Sequence, residues 1–152
     1  MSLVVTVFNR MPPPNGVIER YGALLARQLK EAVAVPYRQV SVGNWAPEEN
    51  KCHHNVATWI ERNPHHAHVL GWLVVTTPNS DFIRFVAHSV VEDETGSRFD
   101  ITPLHAKEPR LFLDAGIDAD DYFWIEEQLF EVYPMSGFDH SIAPQERSES
   151  QA

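Results

Sequence analysis

Between Pro64 and Pro103 the chain alternates apolar stretches with strong turn signals, and this restricts its fold more than any other feature. Residues 66–77 hold the run Val69-Leu70-Gly71-Trp72-Leu73-Val74-Val75. It falls far short of the roughly 20 residues of a membrane span and suits a buried strand. Pro78-Asn79-Ser80-Asp81 is a turn, residues 82–91 read as a second strand, and residues 92–97 form a Gly-containing turn. Residues 98–102 make a third strand, closed by Pro103. The pattern predicts a three-stranded antiparallel meander.

The segments on either side add helices. Residues 3–8 are β-branched and strand-like, with neither the basic start nor the cleavage site of a signal peptide. Pro12-Pro13-Pro14-Asn15-Gly16 must be an extended loop. Over residues 17–33 Ile18, Tyr21, Leu25, Leu29 and Ala32 recur at helical steps, and Pro36 ends the run. Residues 37–42 read as a short strand and 43–50 as a loop. A second helix is expected from about Asn50 to Asn63, before Pro64, with Cys52, Val56, Trp59 and Ile60 on one face. Asp118-Ala119-Asp120-Asp121 opens a third, carried by Tyr122, Ile125, Leu129 and Val132. From His140 on the sequence is almost devoid of apolar residues and reads as a disordered polar tail over 140–152. With 43% apolar and 22% charged residues, the expectation is a single α+β domain over residues 1–139, its N-terminal helices packed on an antiparallel sheet.

Composition removes some functions. A net charge of −9 lacks the clustered cations needed to bind nucleic acid or an anionic membrane. The lone cysteine, Cys52, rules out an intramolecular disulfide and points to a reducing, cytoplasmic setting. No cofactor is implied.

Chemistry centres on that thiol. In the first turn of a helix, unsatisfied N–H groups and the positive dipole end favour thiolate, and the cysteine's own N–H becomes an oxyanion donor. The alternative is a small buried hydrophobe. His88 falls on the second strand of the meander and Asp100 on the third, and their midpoint is residue 94, inside the turn. A hairpin centred there sets the two side chains opposite each other, roughly 4.5–5.5 Å apart at Cβ, and a two-residue slip leaves them diagonal neighbours. By alternation Ile83, Phe85, Ala87, Val91, Phe99 and Ile101 form a core side, while Arg84, His88, Asp100 and Thr102 share the other. An imidazole beside a carboxylate is a general base with a fixed tautomer, or else an ordinary solvated pair.

Cysteine at a helix start, histidine on a strand and an acid on the next strand is an order that resembles papain-like and transglutaminase-like proteins. Cys52-His53-His54-Asn55-Val56, Gly71-Trp72, His88-Ser89-Val90-Val91 and Asp100-Ile101-Thr102-Pro103 also look like a pattern in small bacterial proteins. That pattern runs C-H-x-N-V, G-W or G-Y, H-[AS]-V-W, D-x-T-P. The resemblance spans residues 52–103, and Val91 departs from it where an aromatic often stands. It implies a papain/transglutaminase-like core, Cys52 as nucleophile, His88 as base and acid, and Asp100 as the orienting carboxylate. It also implies a second oxyanion donor upstream, with Gln39, Asn44 and Asn50 as candidates. Asn55 can face the cleft or cap a carbonyl, and Trp45 and Trp72 can wall a groove.

The expected activity is thiol-dependent amide hydrolysis or acyl transfer (peptidase, deamidase or transglutaminase-like) on a peptide or protein amide. Two other classes compete. Cys52, His88 and Asp100 could ligate zinc, as could the His-rich segment that holds His53, His54, His65, His66 and His68 beside Cys52, although no C-x₂-C or H-x₃-H spacing is present. The acidic charge also fits a non-catalytic interaction module.

Overall fold

The computed structural model describes residues 10–76, 79–104 and 110–142. The strand expected over residues 3–8 and the tail beyond 142 lie outside them, as does part of the turn at Pro78. What is described is an α+β arrangement of three helices and a six-stranded antiparallel sheet.

Helix α1 (Gly16–Arg27) begins where Asn15 accepts a hydrogen bond from the Ile18 N–H at 3.1 Å, with Glu19 in its first turn and Arg27 in its last. It is shorter than the sequence predicts. A single 3₁₀ turn, Leu29–Glu31, follows, and residues 33–35 leave helical geometry to form β1 (Val33–Val35). The strand expected over 37–42 is reduced to isolated bridges, Tyr37 with Asp100 and Val42 with Trp45. Helix α2 (Cys52–Arg62) ends at Asn63, whose side chain donates to the Trp59 carbonyl.

The meander forms as β2 (Ala67–Val75), β3 (Phe82–Glu92) and β4 (Arg98–Phe99). Its second hairpin is centred one residue later than expected, with Glu92 opposite Arg98 and Val91 opposite Phe99. Asp93 explains the slip: its carboxylate accepts from the Thr95 and Ser97 N–H groups, while Gly96 takes φ 88. His88 and Asp100 therefore stand diagonally rather than opposite.

Strand β5 (Arg110–Asp114) pairs with both β1 and β2, and α3 (Ala119–Val132) is capped by Asp118. Strand β6 (Gly137–Ser141) pairs with the first half of β3, from Phe82–Ser141 to Val86–Gly137. The proposed tail boundary at residue 140 is thereby corrected. His140 and Ser141 pair with β3 because pairing with a sheet edge satisfies backbone groups without needing apolar side chains.

Helices α1 and α3 cover one face of the sheet, where Ile18, Tyr21, Leu25, Tyr122, Ile125 and Leu129 meet Trp72, Phe85 and Phe138. Val56 of α2 packs nearby with Val91, Phe99 and Ile101. The opposite face buries Val35, Val90 and Phe112. One edge of β3 is flanked by β6 up to residue 86 and by β4 from residue 91. The stretch between them is where α2 meets the sheet. Among the described residues no helix is long and apolar enough to cross a membrane.

Candidate active site

Cys52 is the first residue of α2 and is partly buried. Asn50 does not cap the helix. It precedes the cap at φ 63, a left-handed conformation that asparagine tolerates, and it turns the chain toward the helix. Lys51 holds the cap position without a side-chain hydrogen bond, and no acidic residue sits in the first turn. The positive end of α2 is thus neither capped nor neutralised where the thiol stands.

Two imidazoles meet this thiol. His88 is 5% exposed and lines the same cavity as Cys52, near enough for each to shift the other's proton affinity, while its Nε2 lies 2.7 Å from Asp100 Oδ2. Nδ1 is therefore the nitrogen left for sulphur. Asp100, 2% exposed, also accepts from the Thr102 N–H at 3.0 Å and from Arg110 at 3.2 Å. Asn55 donates to Thr102 Oγ1 and to the Glu48 carbonyl and accepts from the Glu48 N–H. It fastens the loop before α2 to the segment after β4.

The second imidazole is His53, next in sequence to the thiol. Its Nδ1 is 3.8 Å from Cys52 Sγ and hydrogen-bonds to Ser89 Oγ, and its Nε2 is 2.9 Å from Glu126 Oε2 on α3. Ser89 Oγ also contacts His68 Nε2 at 2.8 Å. Burial lowers the His68 pKa, and the charge on His53 lowers it further. A neutral His68 can accept from Ser89, which leaves the serine oxygen to accept from His53.

Burial pushes the Cys52 thiol up, but the hydrogen bonds and positive charge of His53 and His88 outweigh it and bring the pKa down to about 6. Burial disfavours charge on both imidazoles as well. Hydrogen bonds to Asp100 and Cys52 nevertheless lift His88 to about 9, and those to Cys52 and Glu126 lift His53 to about 10. At neutral pH the arrangement is a thiolate held by imidazolium.

A cavity of about 530 Å³ opens over the thiol. Asn50, Lys51, His53, His54, His88 and Glu126 bring polar groups to it, and Leu73, Val86, Leu104, Phe130 and Met135 supply apolar wall. No family model matches the chain, and neither the curated proteins nor the solved structures contain one that matches it.

Of the expected site residues, Cys52, His88 and Asp100 come together, and Asn50 lines the cavity. Five others require correction. Trp72 is no groove wall. It is fully buried, its indole N–H donates to Tyr21, and the adjacent Gly71 leaves no room for a Cβ beside the Phe112 ring and the Leu113 carbonyl. Trp45 packs on the Val56–Phe99 cluster rather than on the cavity, which buries its ring against apolar side chains. Asn55 is 1% exposed and caps backbone groups instead of facing the cleft. Gln39 and Asn44 are exposed and are not among the cavity's lining residues.

The zinc alternative finds no ligand set: among the described residues no group of three or more His, Cys, Asp or Glu side chains is placed to hold a metal ion. The histidine cluster disperses. His66 accepts from the Trp59 indole and pairs with Glu94, His65 is exposed, and His53 and His68 share Ser89. His53, Glu126 and Arg110 are the site residues that sequence reading missed. In the sequence His53 stands only as a candidate zinc ligand and as the residue beside the cysteine in C-H-x-N-V; Glu126 and Arg110 carry no signal.

Proposed function

We propose that this protein is a thiol-dependent enzyme of acyl transfer at amides, in the broad sense of a hydrolase, with Cys52 as nucleophile, His88 as acid and base, and Asp100 as the group that orients His88. The observation carrying this reading is the buried His88–Asp100 pair standing beside Cys52 at the wall of one cavity. The order of these residues along helix, strand and following segment also resembles papain-like and transglutaminase-like cores, and we read the fold in that light.

The chemistry follows from the charges. Cys52 thiolate adds to the carbonyl carbon, and the carbonyl's electron pair moves to oxygen, where the uncapped start of α2 offers the Cys52 N–H. As the oxyanion collapses, the carbon–nitrogen bond breaks and His88 gives its proton to the departing amine. Asp100 keeps Nε2 of His88 engaged, so that Nδ1 is the nitrogen that exchanges the proton. Water, or a second amine, then attacks the thioester, passes a proton to His88 and restores the thiolate. A peptide or protein amide is the proposed substrate, its apolar side chain received by Leu73, Val86 and Phe130. The free thiol suits a reducing compartment.

Alkylation by iodoacetamide tests the nucleophile. At pH 6.5 Cys52 is expected to react roughly tenfold faster than an ordinary thiol, since its larger thiolate fraction is partly offset by lower basicity. His88→Ala is expected to remove most of that advantage. A folded wild-type protein whose Cys52 reacts no faster than glutathione would sink the reading.

A further inference from the structure

Two of the three amide side chains that sequence reading offers as a second oxyanion donor, Gln39 and Asn44, do not line the cavity. His53 lines it and stands beside the thiol. We propose that His53, held by Glu126, is a second catalytic imidazole of the Cys52 centre, stabilising the negative charge as it passes from sulphur to the substrate's carbonyl oxygen. The proposal rests on the acyl-transfer reading above.

Three features fit His53 for this role. Its Nδ1 is 3.8 Å from Sγ, and an N–H that contacts the attacking sulphur lies near the oxygen of the carbonyl that the sulphur attacks. Its other nitrogen is engaged by Glu126, so the ring can be doubly protonated with a partner on each side. Its plane is fixed by edge contacts with Tyr122 and Phe123, at ring separations of 5.8 and 5.6 Å. The Nδ1–H rests on Ser89 Oγ, and with the ring held in place it can share that donor with an oxyanion formed at the sulphur. The raised proton affinity of His53 agrees with the geometry, since it keeps the ring cationic across the neutral range. During the step His53 keeps its proton. The thiolate's pair forms the carbon–sulphur bond, the carbonyl pair moves to oxygen, and the Nδ1–H, which rests on Ser89 Oγ, shares its hydrogen bond with that oxygen. On collapse the pair returns, the carbon–nitrogen bond breaks, and the amine takes its proton from His88.

Two reagents separate this role from that of merely holding a thiolate. Iodoacetamide alkylates sulphur by displacing iodide and forms no oxyanion. p-Nitrophenyl acetate acylates sulphur through a tetrahedral oxyanion and releases p-nitrophenolate. With the full-length protein at pH 7.5, His53→Ala is expected to slow acylation about a hundredfold but alkylation less than about tenfold. His53→Gln, which keeps a donor without charge, should recover part of the acylation rate. Glu126→Gln leaves the imidazole in place and should show the same selective loss in smaller measure, so the test does not hang on one variant's folding.

An equal fall of both rates would mean that His53 only holds the thiolate, and it would overturn the proposal; so would no fall in either. A selective loss in Asn50→Ala instead of His53→Ala would transfer the role to Asn50 and overturn it too. Rapid wild-type alkylation without p-nitrophenolate release counts against His53 alone. Slow wild-type alkylation removes the nucleophile reading itself, and the proposal with it.

Discussion

His88 reaches Asp100 between neighbouring segments of one sheet, whereas His53 reaches Glu126 from one helix to another. Both are imidazole–carboxylate pairs against the same sulphur. The side chains of the first are 6% and 3% exposed, and Asp100 is further tied to Thr102 and Arg110. Those of the second are 24% and 19% exposed, at the open side of the cavity. The difference separates two demands. A proton carrier must stay aligned through two transfers, which a buried and fully bonded pair provides. A group that only answers a passing charge can sit nearer solvent, provided its plane is fixed.

The largest effect should come from removing what the pairs share. Cys52→Ala is expected to bring p-nitrophenolate release down to the level of buffer. Next, His88→Ala should slow acylation roughly 10²–10⁴-fold, the range of a general acid–base group. A loss no greater than that of His53→Ala would erase the distinction between the pairs. In urea unfolding, Asp100→Asn is expected to cost about 3–5 kcal/mol, since it strands a buried imidazole and a guanidinium. Asn55→Ala, which unties the loop before α2 from Thr102, should cost about 1–3 kcal/mol. Glu126→Gln should cost no more than about 1 kcal/mol, because solvent screens its pair. Equal costs at Asp100 and Glu126 would break the comparison.

The pH dependence sharpens it. Acylation should rise as Cys52 ionises at about 6 and fall as His88 loses its proton at about 9. For stability, His88 has a folded pKa above its ordinary 6.5, so its contribution is complete below pH 6.5 and disappears as pH rises through about 9. In Asp100→Asn the alkaline limb of the rate profile should move to lower pH, whereas in Glu126→Gln it is the acid limb that should move, upward.

Much of the frame was legible from residue order. The meander followed from the turn clusters at 78–81 and 92–97, and α2 from the run between Cys52 and Pro64. Alternation along β3 placed His88 and Asp100 on one face, where a two-residue slip could not part them. What escaped depended on side-chain hydrogen bonds or on distant segments. Asp93 recentred a turn by binding two N–H groups, which no periodicity registers. Trp72 reads the same whether it walls a groove or fills a core; only Tyr21, from α1, decides. Glu126 lies 73 residues from His53, and nothing local in either segment announces the pairing.

Tyr122 has a further consequence. Its hydroxyl accepts from the His88 N–H at 3.2 Å and donates to the Gly71 carbonyl at 2.8 Å, joining α3 to the β2–β3 pair at the level of the imidazole. Burial pushes this phenol well above its usual pKa, so it stays a neutral bridge. One turn further along α3 stands Glu126. The helix is therefore a common mount for both imidazoles, and any tilt of it would detune them together. Tyr122→Phe, which removes this bridge, should quicken deuterium uptake at the His88 amide.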